Sequence, residues 1–179
     1  MVTRMKVLIA EDDQYASTLY ETALTGRGHE ALFTQDGKSC VETYMKAVSE
    51  SMDNGSSSNG TSISPFSAVV LDYRMPEMNG LEVAKEILSI NPKERIIFAS
   101  AHVIDTLAQS ISELGKVVEL LQKPFEMDAF VDLLEDIGVT KGLEELNVDV
   151  KSIRELRPSR EQLKDLLEGL RKIQKGRVL

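Results

Sequence analysis

Tryptophan is absent from the 179 residues, cysteine occurs once, and aromatic residues make up only 5% of the chain. The single Cys40 allows no internal disulfide, so a disulfide scaffold is excluded. That usage fits a reducing compartment, and the cytoplasm is the expected location. Long apolar runs are also missing. The longest are strand-length, far short of the ~20 residues a membrane-spanning helix needs. At the N-terminus, MVTRMKVLIAEDD, the apolar residues give way to Glu11-Asp12-Asp13 too early for a signal-peptide core. Positive charge is in deficit: the net charge is −8. Residues 136–179 hold eight acids and ten bases, a balance of +2, so the first 135 residues carry −10. An acidic body argues against nucleic-acid binding by that body.

What is present is an alternation of short apolar runs and amphipathic stretches. Strands are expected at Lys6–Ala10, Glu30–Thr34, Ser67–Asp72, Arg95–Ser100 and Val117–Leu121. Helices are expected over Tyr15–Thr25, from the Asp36-Gly37 turn to Ser49, and over Leu81–Leu88, Ile104–Leu114 and Met127–Ile137. Nearly unbroken apolar strands alternating with helices predict an α/β fold with helices on both faces of a parallel sheet. Five such units suit the flavodoxin-like doubly wound order 2-1-3-4-5. The body is expected over residues 1–137. Residues 50–65, rich in serine, asparagine and glycine, read as a flexible insertion within it. A short helical extension, 138–179, completes the chain. There Ser159-Arg160-Glu161-Gln162 has the form of a capping box, ahead of leucines at helical spacing. Packing back on the body, self-association as a homodimer, and nucleic-acid binding all remain open for this tail.

In such a sheet, ligands bind at the C-terminal strand ends. The first strand ends at Glu11 and Asp12, the third at Asp72, the fourth at Ser100, and the fifth is followed by Lys123-Pro124. Adjacent first and third strands bring three carboxylates together, and their mutual repulsion calls for a cation. Mg²⁺ prefers oxygen ligands and commonly shares its site with phosphate. Lys123 suits a phosphate oxygen and Ser100 offers a hydroxyl donor. Together these groups describe a phosphoryl site in which a carboxylate can be the nucleophile.

Glu11-Asp12, Asp72-Tyr73-Arg74-Met75-Pro76-Glu77-Met78-Asn79-Gly80, Ser100-Ala101 and Lys123-Pro124-Phe125 occur in an order that resembles the response-regulator receiver domain of two-component signalling. The resemblance covers residues 5–136. It implies that Asp72 is the phospho-acceptor, supplied by a sensor histidine kinase or phosphotransfer protein. It implies Mg²⁺ (or Mn²⁺) held by Asp12, Asp72, the Arg74 backbone carbonyl and, through water, Glu11. It further implies a switch hydroxyl at Ser100, a phosphoryl-binding Lys123, and a cis peptide before Pro124. A receiver of this kind is a signalling switch for an output protein, not an enzyme beyond slow self-dephosphorylation. One departure is Leu120, where the family often has an aromatic residue. The alternative reading is a DNA-binding transcription regulator using the extension. A dehalogenase-type phosphohydrolase is excluded, because its nucleophile follows the first strand.

Other residues invite plainer readings. Asp13 is expected to cap the first helix, Cys40 to be a buried small residue, and His29 to lie at the surface. Arg74 is expected to have a solvated side chain, with Pro76 and Gly80 shaping the turn.

Overall fold

The computed structural model describes residues 4–53, 64–101 and 118–135, together with Leu166 and Gly169. Two compact units are present. Arg4–Phe130 holds the sheet. Of the other, Met1–Thr3 with Val131–Leu179, residues 131–135 are helical, as are Leu166 and Gly169.

The sheet consists of β1 (Lys6–Ala10), β2 (Glu30–Thr34), β3 (Ala68–Leu71), β4 (Ile96–Ser100) and β5 (Glu119–Gln122). All pairings are parallel, and the order is β2-β1-β3-β4-β5, the flavodoxin-like arrangement expected. Between the strands run α1 (Gln14–Gly26), α2 (Gly37–Asp53) and α3 (Gly80–Ile90), and residues 127–135 are helical after β5. The expected helix 104–114 and nearly all of the tail helix lie outside the described residues.

Alternating side chains divide β1, β3 and β4 into two buried faces. Leu8, Ala10, Val69, Leu71, Ile96 and Phe98 pack with Cys40 and Tyr44 of α2 and with Val83, Ala84 and Ile87 of α3. Cys40 is fully buried, and burial pushes its thiol up to about 12. The alternate set Val7, Ile9, Val70 and Ile97 is equally buried, as are Tyr20 and Leu24 of α1. Tyr20 packs on Phe130 with ring centroids 4.8 Å apart.

Local chemistry sets the helix ends. Asp13 caps α1 by accepting from Tyr15 N at 2.7 Å and Ala16 N at 3.1 Å. The helix closes through Gly28, at φ 80, where the left-handed region suits a residue without Cβ. His29 corrects its surface expectation. It is 4% exposed, and its Nδ1 accepts from Met5 N at 3.4 Å. Although it precedes the edge strand β2, the imidazole is covered by the chain around it.

α2 continues to Asp53, past its expected end at Ser49. Ser49 and Ser51 hydroxyls bond back to the Met45 and Ala47 carbonyls, and Lys46 reaches Glu50 at 4.0 Å. Within a helix these hydroxyls turn back onto its own carbonyls, so polar composition alone does not end it. At the far side, Ser64 donates its one hydroxyl proton to Glu94 Oε2 at 2.5 Å, and its Oγ lies 2.5 Å from the Phe66 carbonyl oxygen. The positions 54–63 lie outside the described residues.

Candidate functional site

Three strand ends build the site. Glu11 and Asp12 follow β1, Asp72 follows β3, and Lys123 follows β5. Backbone bonds fix each departure. Glu11 N donates to the Thr34 carbonyl at 3.0 Å, Asp72 N to the Ala10 carbonyl at 3.0 Å, and Lys123 N to the Ser100 carbonyl at 2.9 Å. Asp72 stands one residue past β3 instead of closing it, with its own N–H still bonded across to β1 at Ala10.

One ammonium serves two carboxylates. Lys123 Nζ donates to Glu11 Oε2 at 2.5 Å and to Asp72 Oδ2 at 2.8 Å. The other Asp72 oxygen, Oδ1, accepts from Arg74 N at 3.1 Å. Glu11 Oε1 accepts from Asp13 N at 3.4 Å. Glu11 is buried, Asp72 is 14% exposed at its side chain, and Asp12 is exposed. Burial pushes the Glu11 carboxyl above its usual range, outweighing the lowering pull of Lys123, and the neighbouring Asp72 charge adds to the rise. Burial works against the Lys123 charge, yet hydrogen bonds to Asp72 and Glu11 prevail and raise its pKa.

Carboxylate oxygens of Glu11, Asp12 and Asp72 all lie within 4.8 Å of one another. The donor chemistry is three hard oxygens with one ammonium to balance three negative charges, and it fits a hard divalent cation.

Ser100 is 3% exposed at the end of β4, paired in register with Gln122, and belongs to the same sheet end. The Lys123–Pro124 peptide is cis. Arg74 is exposed, consistent with a solvated side chain, and its backbone belongs to the loop at Asp72. Leu120 pairs with Phe98 and packs half-buried against the core, where it offers no ring. Burial raises the phenol of nearby Tyr20, and the charges of Glu11 and Asp72 add to that effect, so it stays neutral.

The loop after Asp72 carries features the sequence reading passed over. Asn79 caps α3 in a full capping box, accepting from Glu82 N at 3.0 Å while Asn79 N donates to Glu82 Oε2 at 2.9 Å. Asn79-x-x-Glu82 ahead of an apolar run was a readable signal. Glu77 sits at φ 64, with no sequence cue to announce it. Gly80 needs space more than freedom, since its φ is not left-handed.

Comparisons with known proteins bear on the family and the fold. Residues 7–135 match the family model described as "Response regulator receiver domain". The chain is 26% identical to the chemotaxis protein CheY of Thermotoga maritima over 134 residues, covering 74% of this chain and 97% of that protein. A receiver domain protein from Clostridium thermocellum has the same fold, with TM-score 0.59, 20% identity, and coverage of 78% and 98%. So does a CheX–CheY–BeF3–Mg²⁺ complex from Borrelia burgdorferi, with TM-score 0.58, 21% identity, and coverage of 74% and 88%.

Proposed function

The chain belongs to the response regulator receiver domain family of two-component signalling, and we propose that Asp72 is its phospho-acceptor. One observation carries this reading: Asp72 shares the single Lys123 ammonium with Glu11, at 2.8 and 2.5 Å, with Asp12 alongside. A carboxylate so placed is poised between a cationic group and a cation-binding pair.

In the proposed reaction an Asp72 oxygen attacks phosphorus on a phosphohistidine of a sensor kinase or phosphotransfer protein. The new O–P bond forms as the P–N bond breaks, and the imidazole departs. Asp12, Asp72, the Arg74 carbonyl and Glu11 would hold Mg²⁺ or Mn²⁺, which supplies charge neutralisation at the phosphoryl oxygens. Lys123 neutralises the carboxylate pair before transfer. Afterwards it turns toward a phosphoryl oxygen, relinquishing part of its bonding to Glu11. Ser100 supplies a hydroxyl donor to the same group. The added charge reorganises the strand ends and changes affinity for an output protein. Hydrolysis of the acyl phosphate resets the switch slowly. No helix among the described residues is long and apolar enough to cross a membrane, and we place the protein in the cytoplasm.

Beryllofluoride binding followed by ¹⁹F NMR tests the site. Wild type is expected to give bound fluoride resonances only with Mg²⁺ present. Asp72→Asn is expected to give none. Resonances of equal intensity in Asp72→Asn would contradict the assignment.

A further inference from the structure

Two glycines bracket the loop after Asp72, and they belong to different elements. Gly80 opens α3, and a Cβ there would lie 2.3 Å from the Asp72 carbonyl oxygen. Gly37 opens α2, and a Cβ there would lie 2.2 Å from the Met78 carbonyl oxygen and 2.7 Å from Val83 Cγ2. Neither glycine has a left-handed φ, so the requirement is for close approach. The nearest obstacles are backbone atoms, which cannot swing aside like the end of a flexible side chain.

Between the glycines the loop is stapled. Gly80 N donates to the Tyr73 carbonyl at 3.0 Å, and Met78 N to the Pro76 carbonyl at 2.7 Å. Arg74 N donates to Asp72 Oδ1 at 3.1 Å. Met75, Met78 and Tyr73 pack half-buried on the core. A segment held at so many points passes a push at Met78 on to Arg74 and Asp72, because packed interiors transmit strain. The start of α2 is itself fixed. Ser39 N and Oγ donate to the two Asp36 carboxylate oxygens at 2.7 Å each. Cys40, one turn on, is fully buried.

We infer that Gly37 is a positioning residue for the cation and phosphoryl site. Its missing Cβ lets α2 seat directly on the Met78 carbonyl and hold the 73–79 loop in register with Glu11 and Asp12. This inference rests on the reading of Glu11, Asp12 and Asp72 as a cation site. The test is a Mg²⁺ titration of the full chain followed by ¹H–¹⁵N NMR, for wild type, Gly37→Ala and Gly26→Ala. Gly26 has open space where a Cβ would go, so it serves as the helix-glycine control.

Gly37→Ala is expected to shift the 73–79 amides before any Mg²⁺ is added and to weaken Mg²⁺ binding about tenfold or more, the range seen when ligand-orienting groups are lost. Gly26→Ala is expected to do neither. Should Gly37→Ala fail to fold, Gly37→Ala/Val83→Ala removes the side-chain obstacle and keeps the carbonyl one, with the same weakening expected. Wild-type affinity in either folded variant would overturn the inference, as would equal weakening in Gly26→Ala. A wild-type spectrum without Mg²⁺-dependent shifts at Glu11, Asp12 and Asp72 would remove the site reading itself, and the inference with it.

Discussion

Each end of the sheet buries a carboxylate, and the two are treated in opposite ways. At the N-terminal end, Glu94 is 7% exposed. Its Oε2 accepts from Tyr44 Oη at 2.5 Å, Ser64 Oγ at 2.5 Å and Asn91 Nδ2 at 3.2 Å. Arg95 N covers Oε1 at 3.2 Å. Nearby, the Arg95 guanidinium holds Glu119 with two bonds of 2.8 Å. At the C-terminal end, Glu11, Asp12 and Asp72 cluster together, and one ammonium, Lys123, bonds Glu11 and Asp72. The first arrangement satisfies its charge with local donors, so it fastens α2, α3 and the start of β3 together. The second leaves negative charge in excess, and that excess is what a cation and a phosphoryl group can exploit. A buried carboxylate thus reads as structural or functional from its donors, not from its burial.

The largest expected effect separates the two ends by Mg²⁺ affinity. Asp12→Asn should weaken Mg²⁺ binding on the order of 100-fold, about 2.7 kcal/mol, by removing an exposed hard ligand. Glu94→Gln should leave that affinity unchanged. Calorimetric titration of both variants checks the contrast.

Lys123→Met comes next. It leaves Glu11 and Asp72 uncompensated and should cost about 2–4 kcal/mol of unfolding free energy at neutral pH, read by urea denaturation. The sign with pH follows from Glu11, whose folded pKa lies above its ordinary 4.5. Its folded form takes up a proton before the unfolded chain does. The penalty is therefore present at neutral pH and shrinks as pH falls through the folded value. Added Mg²⁺ should also restore stability to this variant. A deficit indifferent to both pH and Mg²⁺ would place Lys123 with the structural end.

Legibility in the sequence divides along the same line. The strand ends carrying Glu11-Asp12, Asp72, Ser100 and Lys123-Pro124 were readable because a parallel sheet forces its ligand groups to those positions. The order of strands followed from five apolar runs alternating with helices. The Glu94 network was not readable. It joins Tyr44, Ser64 and the Asn91–Glu94 turn, polar residues on three separate segments with no fixed spacing between them. Each alone resembles a surface or turn residue. His29 was misread for the same reason, since its burial depends on neighbours distant in sequence. The end of α2 was misread because polar composition does not by itself end a helix, and Ser49 and Ser51 are accommodated with their hydroxyls on the Met45 and Ala47 carbonyls.

Tyr44→Phe sharpens the comparison from the structural side. It removes one donor from Glu94 and should cost about 1.5–3 kcal/mol in urea denaturation, with Mg²⁺ affinity unchanged. The mildest change, Arg95→Lys, forfeits the two-pronged bond to Glu119 and should cost about 0.5–1 kcal/mol, read as a small fall in the urea midpoint. Loss of Mg²⁺ binding in either variant would break the division between the two ends.

The central claim is that Asp72 accepts the phosphoryl group. Incubation with acetyl phosphate and Mg²⁺, followed by intact mass measurement, tests it most directly. Wild type should gain the mass of one phosphoryl group, lose that gain when Mg²⁺ is chelated, and show none of it as Asp72→Asn. An unmodified wild type, or an equal gain on Asp72→Asn, would contradict the account.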